Sequence, residues 1–146
     1  MEGATPLSEA LTARVNEFAA KACRHWADNC TPEQKAAGIA AHEEYKNDPE
    51  VGAREMARVT EDWNSSDANG DGFLDQAEFI VYQEKQRVNA ASKGTFAGKA
   101  EGHDEEWYAI LNDINTEHDG ISFMEYMSAI GVFVGKMESM KAELGA

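Results

Sequence analysis

The chain has 146 residues, with 27 acidic against 13 basic side chains and a formal net charge of −14. That length suits one domain or two small lobes with a real core. The acidic balance argues against nucleic acid as a partner, since phosphate binding needs clustered Lys and Arg, and fits cations and basic partners. No run approaches the roughly 18 apolar residues of a transmembrane segment. The opening MEGATPLSEA has neither the basic-then-apolar build of a secretion signal nor the Met-Gly start of a myristoylated chain. Cys23 and Cys30 would lie about 10 Å apart on one continuous helix, too far for a disulfide. Free thiols in a cytoplasmic protein are the expectation.

Leu7, Leu11, Val15, Phe18, Ala22 and Trp26 recur every three or four positions and predict a helix over 7–28. Ser8 and Glu9 favour its start; Asp28-Asn29, with Pro32 beyond, marks its stop. Cys23, His25 and Cys30 match no common zinc spacing. Thr31-Pro32-Glu33-Gln34 is a helix start with a Thr cap, Pro in the first turn and Gln34 at the capping-box position. That helix runs to about Lys46. His42-Glu43 opens like a zinc-protease HExxH, but Lys46 stands where the second His would be. Asn47-Asp48-Pro49 closes it and caps a third helix, which reaches Ser66 with Met56, Val59 and Trp63 inward. Residues 1–48 therefore read as an N-terminal helical hairpin.

The stretch Asp67 to Glu78, DANGDGFLDQAE, carries oxygen side chains at positions 1, 3, 5, 9 and 12: Asp67, Asn69, Asp71, Asp75 and Glu78. A hard cation needs six to eight oxygens at about 2.3–2.6 Å, which a short loop supplies only by folding tightly around the ion. Gly72 at position 6 makes the left-handed turn, and Glu78 closes the shell with two oxygens. Phe73 at position 7 would offer only its backbone carbonyl. Asn-Gly and Asp-Gly also form plain surface turns. A plain turn, however, does not need the amphipathic helices ARVTEDWNSS and AEFIVYQEKQRV at its ends, with Trp63, Phe79 and Tyr82 on their inner faces.

This helix, loop and helix resembles the EF-hand. The resemblance implies Ca²⁺ held by Asp67, Asn69, Asp71, Phe73, Asp75 and Glu78. Residues 49–92 form that unit, its exiting helix running to about Ala91. Residues 93–102, with Gly94, Gly98 and Gly102, read as a flexible linker in which Phe96 is exposed unless it docks. The N-terminal hairpin would then be a lid, a partner surface, or a hand that lost its loop.

Residues 103–146 look like a second, degenerate hand. Trp107, Ile110 and Leu111 suit its entering helix; Phe123, Tyr126 and Met127 suit the exiting one. Counting back from Glu125 puts apolar Ile114 at position 1 and Asp119, not Gly120, at position 6. Starting at Asp113 gives a thirteen-residue loop with Asp113, Asn115, Glu117 or Asp119, and Glu125 as oxygens. Such a loop binds weakly or serves only as a structural partner. EF-hand pairs join at position 8, which implies a short β bridge between Leu74 and Ile121.

Phe123, Tyr126, Ile130, Phe133, Met137, Met140 and Leu144 predict one extended amphipathic C-terminal helix, most simply packed on residues 7–28. Gly131 and Gly135 would permit close approach of a neighbouring helix on one side. The four histidines read as solvated surface positions. No phosphate loop, GxSxG elbow or HExxH is present, so an enzyme is not expected. The expectation is an all-α protein of the broad calmodulin and sarcoplasmic calcium-binding type. It would act as a Ca²⁺ sensor that engages a protein partner through an apolar groove or its C-terminal helix. A structural component of a larger assembly and a Ca²⁺ buffer are the rivals.

Overall fold

Polar side chains at the helix starts set the boundaries. A computed structural model describes residues 7–144, and among these the chain forms α1 (Glu9–Asn29), α2 (Pro32–Asn47), α3 (Pro49–Ser66), α4 (Gln76–Ser92), α5 (His103–Asn112), α6 (Phe123–Ser139) and α7 (Lys141–Leu144). The fold is all-α. Ser8 accepts from the Leu11 amide at α1, and Thr31 forms a full capping box with Gln34 at α2. Asp48 stops α2 and caps α3 by accepting from the Glu50 amide. Each such cap contributes about 1 kcal/mol by satisfying amides that the helix leaves unpaired. Among the described residues no helix is long and apolar enough to cross a membrane.

One aromatic core joins α1, α3, α4, α5 and α6. Phe18 stacks on Trp107 at 4.8 Å, and Trp63 lies 5.0 Å from Tyr82, 5.4 Å from Phe123 and 5.1 Å from Tyr126. Such aromatic pairs add about 1 kcal/mol beyond the area they bury. A smaller cluster of Ala20, Cys23, Met140 and Leu144 seats α7 on α1. Burial there pushes the Cys23 thiol up, against the opposing pull of Arg24.

Several expectations are corrected. Of the expected N-terminal hairpin over 1–48, the described helices α1 and α2 pack mainly on other helices rather than on each other. α1 lies along α6 and α5, while α2 packs on α3 and buries none of its own residues. The reason is chemical: α1 carries Val15 and Phe18 inward and sends Arg14 to Asp113, Lys21 to Glu106 and Arg24 to Glu143. The C-terminal stripe is likewise not one helix. It breaks at Met140, and the short α7 that follows tucks Leu144 against α1, while Lys35 Nζ of α2 donates to the Leu144 carbonyl at 3.2 Å. Gly131 and Gly135 face solvent with nothing near their Cβ positions, so they mediate no close helix contact. Residues 1–6 and 145–146, the ends of the expected hairpin and C-terminal helix, lie outside the described residues. Within 93–102, Thr95 bonds the Ala90 carbonyl through both its amide and its hydroxyl. Phe96 is half-buried, its ring 5.9 Å from that of His25.

The most buried charge is Asp104, 0% exposed, in the first turn of α5. Arg87 grips it with two bonds of 3.0 and 2.7 Å, and Lys99 adds a third at 3.0 Å. Burial alone would raise its pKa, but these bonds outweigh it and hold the carboxyl below its ordinary 3.8. The network ties α4 and the linker to α5. Replacing Asp104 with Asn removes the buried carboxylate that Arg87 and Lys99 share, leaving Arg87 only the exposed Glu84, and should cost about 3 kcal/mol in urea unfolding at neutral pH. Because the folded carboxyl titrates below its unfolded value, the parent's advantage is present at neutral pH and shrinks as pH falls below about 4. A variant as stable as the parent at pH 7 would contradict this role.

Candidate metal centre

The loop between α3 and α4 is built by its own amides. Asp67 Oδ2 accepts from the Gly72 amide at 2.9 Å, Asn69 Oδ1 from Asp71 at 3.3 Å, and Asp71 Oδ1 from Phe73 at 2.9 Å. Asp75 caps α4 by accepting from the Glu78 amide, and Glu78 returns the bond to the Asp75 amide, each at 2.9 Å. The other Glu78 oxygen accepts from the Ala68 amide at 2.7 Å. Gly72 stands at φ +86°, a backbone state that side chains resist.

Two observations bear on whether this loop suits a cation. Asp67 Oδ1 is buried with no hydrogen-bond partner, and an unpaired carboxylate oxygen is costly away from water. Of the ion pairs among the described residues, none involves Asp67, Asp71, Asp75 or Glu78. Four carboxylates thus crowd one loop without a protein cation. Their field reaches Tyr108: burial first, then Asp75, Asp119 and Glu78, push its phenol up. An all-oxygen donor set of this kind fits a hard cation such as Ca²⁺ and lacks the His or Cys that softer metals take. The side chains are not gathered around a single point, however. Among the described residues no three His, Cys, Asp or Glu side chains meet where they would share an ion. Both Glu78 oxygens are spent on amides instead.

The second loop, between α5 and α6, is arranged differently. Asn112, not Asp113, makes the bond that frames it, accepting from the Gly120 amide at 2.9 Å. Asp113 turns outward to Arg14 at 2.7 Å. Asn115 accepts from the Glu117 amide, and Glu125 pairs with His118 Nε2 at 3.1 Å while its other oxygen takes the Ser122 amide. Asp113, Asn115, Glu117, Asp119 and Glu125 therefore do not converge. Arg14 and His118 occupy two of these acids, Asp113 and Glu125. Counting oxygens along the sequence hid this, because it treated His118 as a solvated surface residue. None of the four histidines is in fact exposed. His103 lies 4.9 Å from Phe18, and burial lowers its pKa against the opposing pull of Asp104.

The two loops meet back to back. Leu74 and Ile121, both fully buried, exchange two backbone bonds of 2.9 Å in an isolated antiparallel bridge. The Phe73 ring rests on His118 at 4.3 Å. Beyond the loops, a groove of about 830 Å³ runs between α2, α3, α4 and α6, its apolar walls including Tyr45, Met56, Val59, Met127 and Ile130. Comparison with family models, curated proteins and solved structures finds no match to this chain.

Gly120 makes the bridge possible. Its φ is +91°, and a Cβ there would come within 3.0 Å of the Leu74 carbonyl oxygen and 3.1 Å of Phe73 Cβ. Gly120→Ala should destabilise the protein by about 1–3 kcal/mol and speed amide exchange at Leu74 and Ile121. Unchanged exchange at both would contradict the close approach.

Proposed function

We propose that the chain is a calcium-binding protein of the EF-hand type, with one site at 67–78 paired to a metal-free second loop. The observation that carries this reading is the contrast between the loops: among the described residues Arg14 and His118 bond two acids of the second, while no basic side chain pairs with Asp67, Asp71, Asp75 or Glu78. Asp67, Asn69, Asp71, the Phe73 carbonyl, Asp75 and Glu78 would hold the ion. When bound, Ca²⁺ supplies the positive charge that offsets the mutual repulsion of four carboxylates. The amides of Gly72, Phe73 and Glu78 orient Asp67, Asp71 and Asp75 beforehand, which reduces the ordering that binding must impose.

Glu78 is the hinge of the proposed response. It lies in the first turn of α4, one residue before Phe79 and four before Tyr82, both core residues. To offer two oxygens inward it must give up the Ala68 and Asp75 amides. Any shift of Glu78 is thus felt at the start of α4 and along the groove that Tyr82 helps to line. This coupling favours a sensor that presents an apolar groove to a partner helix over a buffer that binds without opening. A calcium-independent structural role is the rival, supported by the bridge that ties the second loop to the first.

Glu78→Gln should weaken Ca²⁺ binding at least about tenfold, because the bidentate ligand carries much of the affinity; unchanged affinity would remove the site assignment. In the parent, a hydrophobic dye should bind more strongly with Ca²⁺ than with chelator. Equal dye binding in the two conditions, with metal binding intact, would leave the site and remove the sensor reading.

A further inference from the structure

The space behind α2 is not filled by side chains. α2 turns Gly38 and Ala41 toward the rest of the molecule, with Ile39 its large apolar contribution there. Between it and α1, α4 and α6 lies a cavity of about 420 Å³ walled by Trp26, Ile39, Phe96, Phe133 and Met137. The space opens to solvent on one side and is a pocket rather than an interior void. Its volume falls in the range of small-molecule sites, about 300–1,000 Å³. No residue of the 67–78 loop lines it.

Ion pairs hold α2 at this stand-off. His42 meets Glu138 at 3.0 Å, Lys46 meets the same carboxylate at 3.4 Å, and Glu43 meets Lys141 at 3.0 Å. They tether α2 to α6 and α7 at the rim and leave the apolar space behind them. The same pairs decide the charge of an occupant. Glu43, Lys93 and Lys141 are the charged groups on the pocket wall, beside the His42 imidazole, and each already has a protein partner, Lys93 through Glu55 at 2.8 Å. A charged ligand would compete with these pairs for its counter-charge, whereas a neutral one leaves them undisturbed. Asn89 adds an uncharged amide to the wall.

We infer that this cavity binds a neutral, mainly apolar small molecule, at a site separate from the calcium loop. The probe for the test is N-phenyl-1-naphthylamine, a neutral fluorophore, titrated into the full chain in the presence of chelator. Saturable binding of one probe per chain is expected, with tryptophan emission falling in step through energy transfer from Trp26, and with nuclear Overhauser contacts from the probe to the Met137 methyl. Ala41→Phe and Ala90→Phe each fill the cavity from one wall and should weaken binding at least about tenfold with far-UV circular dichroism unchanged. Should neither variant fold, the Met137 contacts in the parent decide. Absence of saturable binding overturns the site, as do probe contacts to the groove methionines Met56 and Met127 instead of Met137. Displacement by laurate with equal or higher affinity overturns the assignment of a neutral ligand.

Discussion

The bridge between Leu74 and Ile121 is the constraint on which the site depends. Two backbone bonds between fully buried residues fix the loops against each other. Each loop in turn sets the spacing of the helices at its ends. The bridge sets the register of the two loops, and the Arg87–Asp104 pair and the cluster around Trp63, Tyr82 and Tyr126 hold α3 and α4 against α5 and α6 in that register. Gly120 and Phe73 extend the contact by bringing backbone and ring close enough for His118 to pack on the first loop. The second loop has a clear physical use whether or not it ever holds an ion.

Charge separates the two loops more than shape does. A chain with net charge −14 carries a large self-repulsion, which its basic side chains relieve unevenly. Arg14 goes to Asp113, Arg87 and Lys99 go to Asp104, and His118 goes to Glu125. The loop at 67–78 receives none. Its carboxylates are positioned by amides, which orient them without neutralising them, and one oxygen of Asp67 is left buried and unpaired. That asymmetry makes the proposed calcium site specific to one loop.

Local chemistry was legible in the sequence, and distant chemistry was not. Ser8, Thr31 with Gln34, and Asp48 announce their helix starts because a cap involves residues only two or three apart. The inward positions of Trp63, Phe79, Trp107 and Tyr126 follow from periodicity for the same reason. Arg14 and Asp113 are 99 positions apart, and nothing in either neighbourhood signals their meeting. The burial of Asp104 depends on Arg87 and Lys99 from two other segments, and the break at Met140 depends on where α1 lies. The role of Asn112 was hidden because the glycine it bonds lies eight residues on, three more than in the first loop. Packing of α1 on α6 was foreshadowed by the apolar stripe of residues 123–144. The stand-off of α2 was not, since it depends on ion pairs to the far end of the chain.

The most direct measurement is calorimetric titration of Ca²⁺ into the decalcified full chain. The account predicts binding at a single site per molecule, carried by the loop whose carboxylates lack protein partners. No binding at millimolar calcium would contradict the metal reading outright, and two sites would contradict the claim that Arg14 and His118 close the second loop to metal.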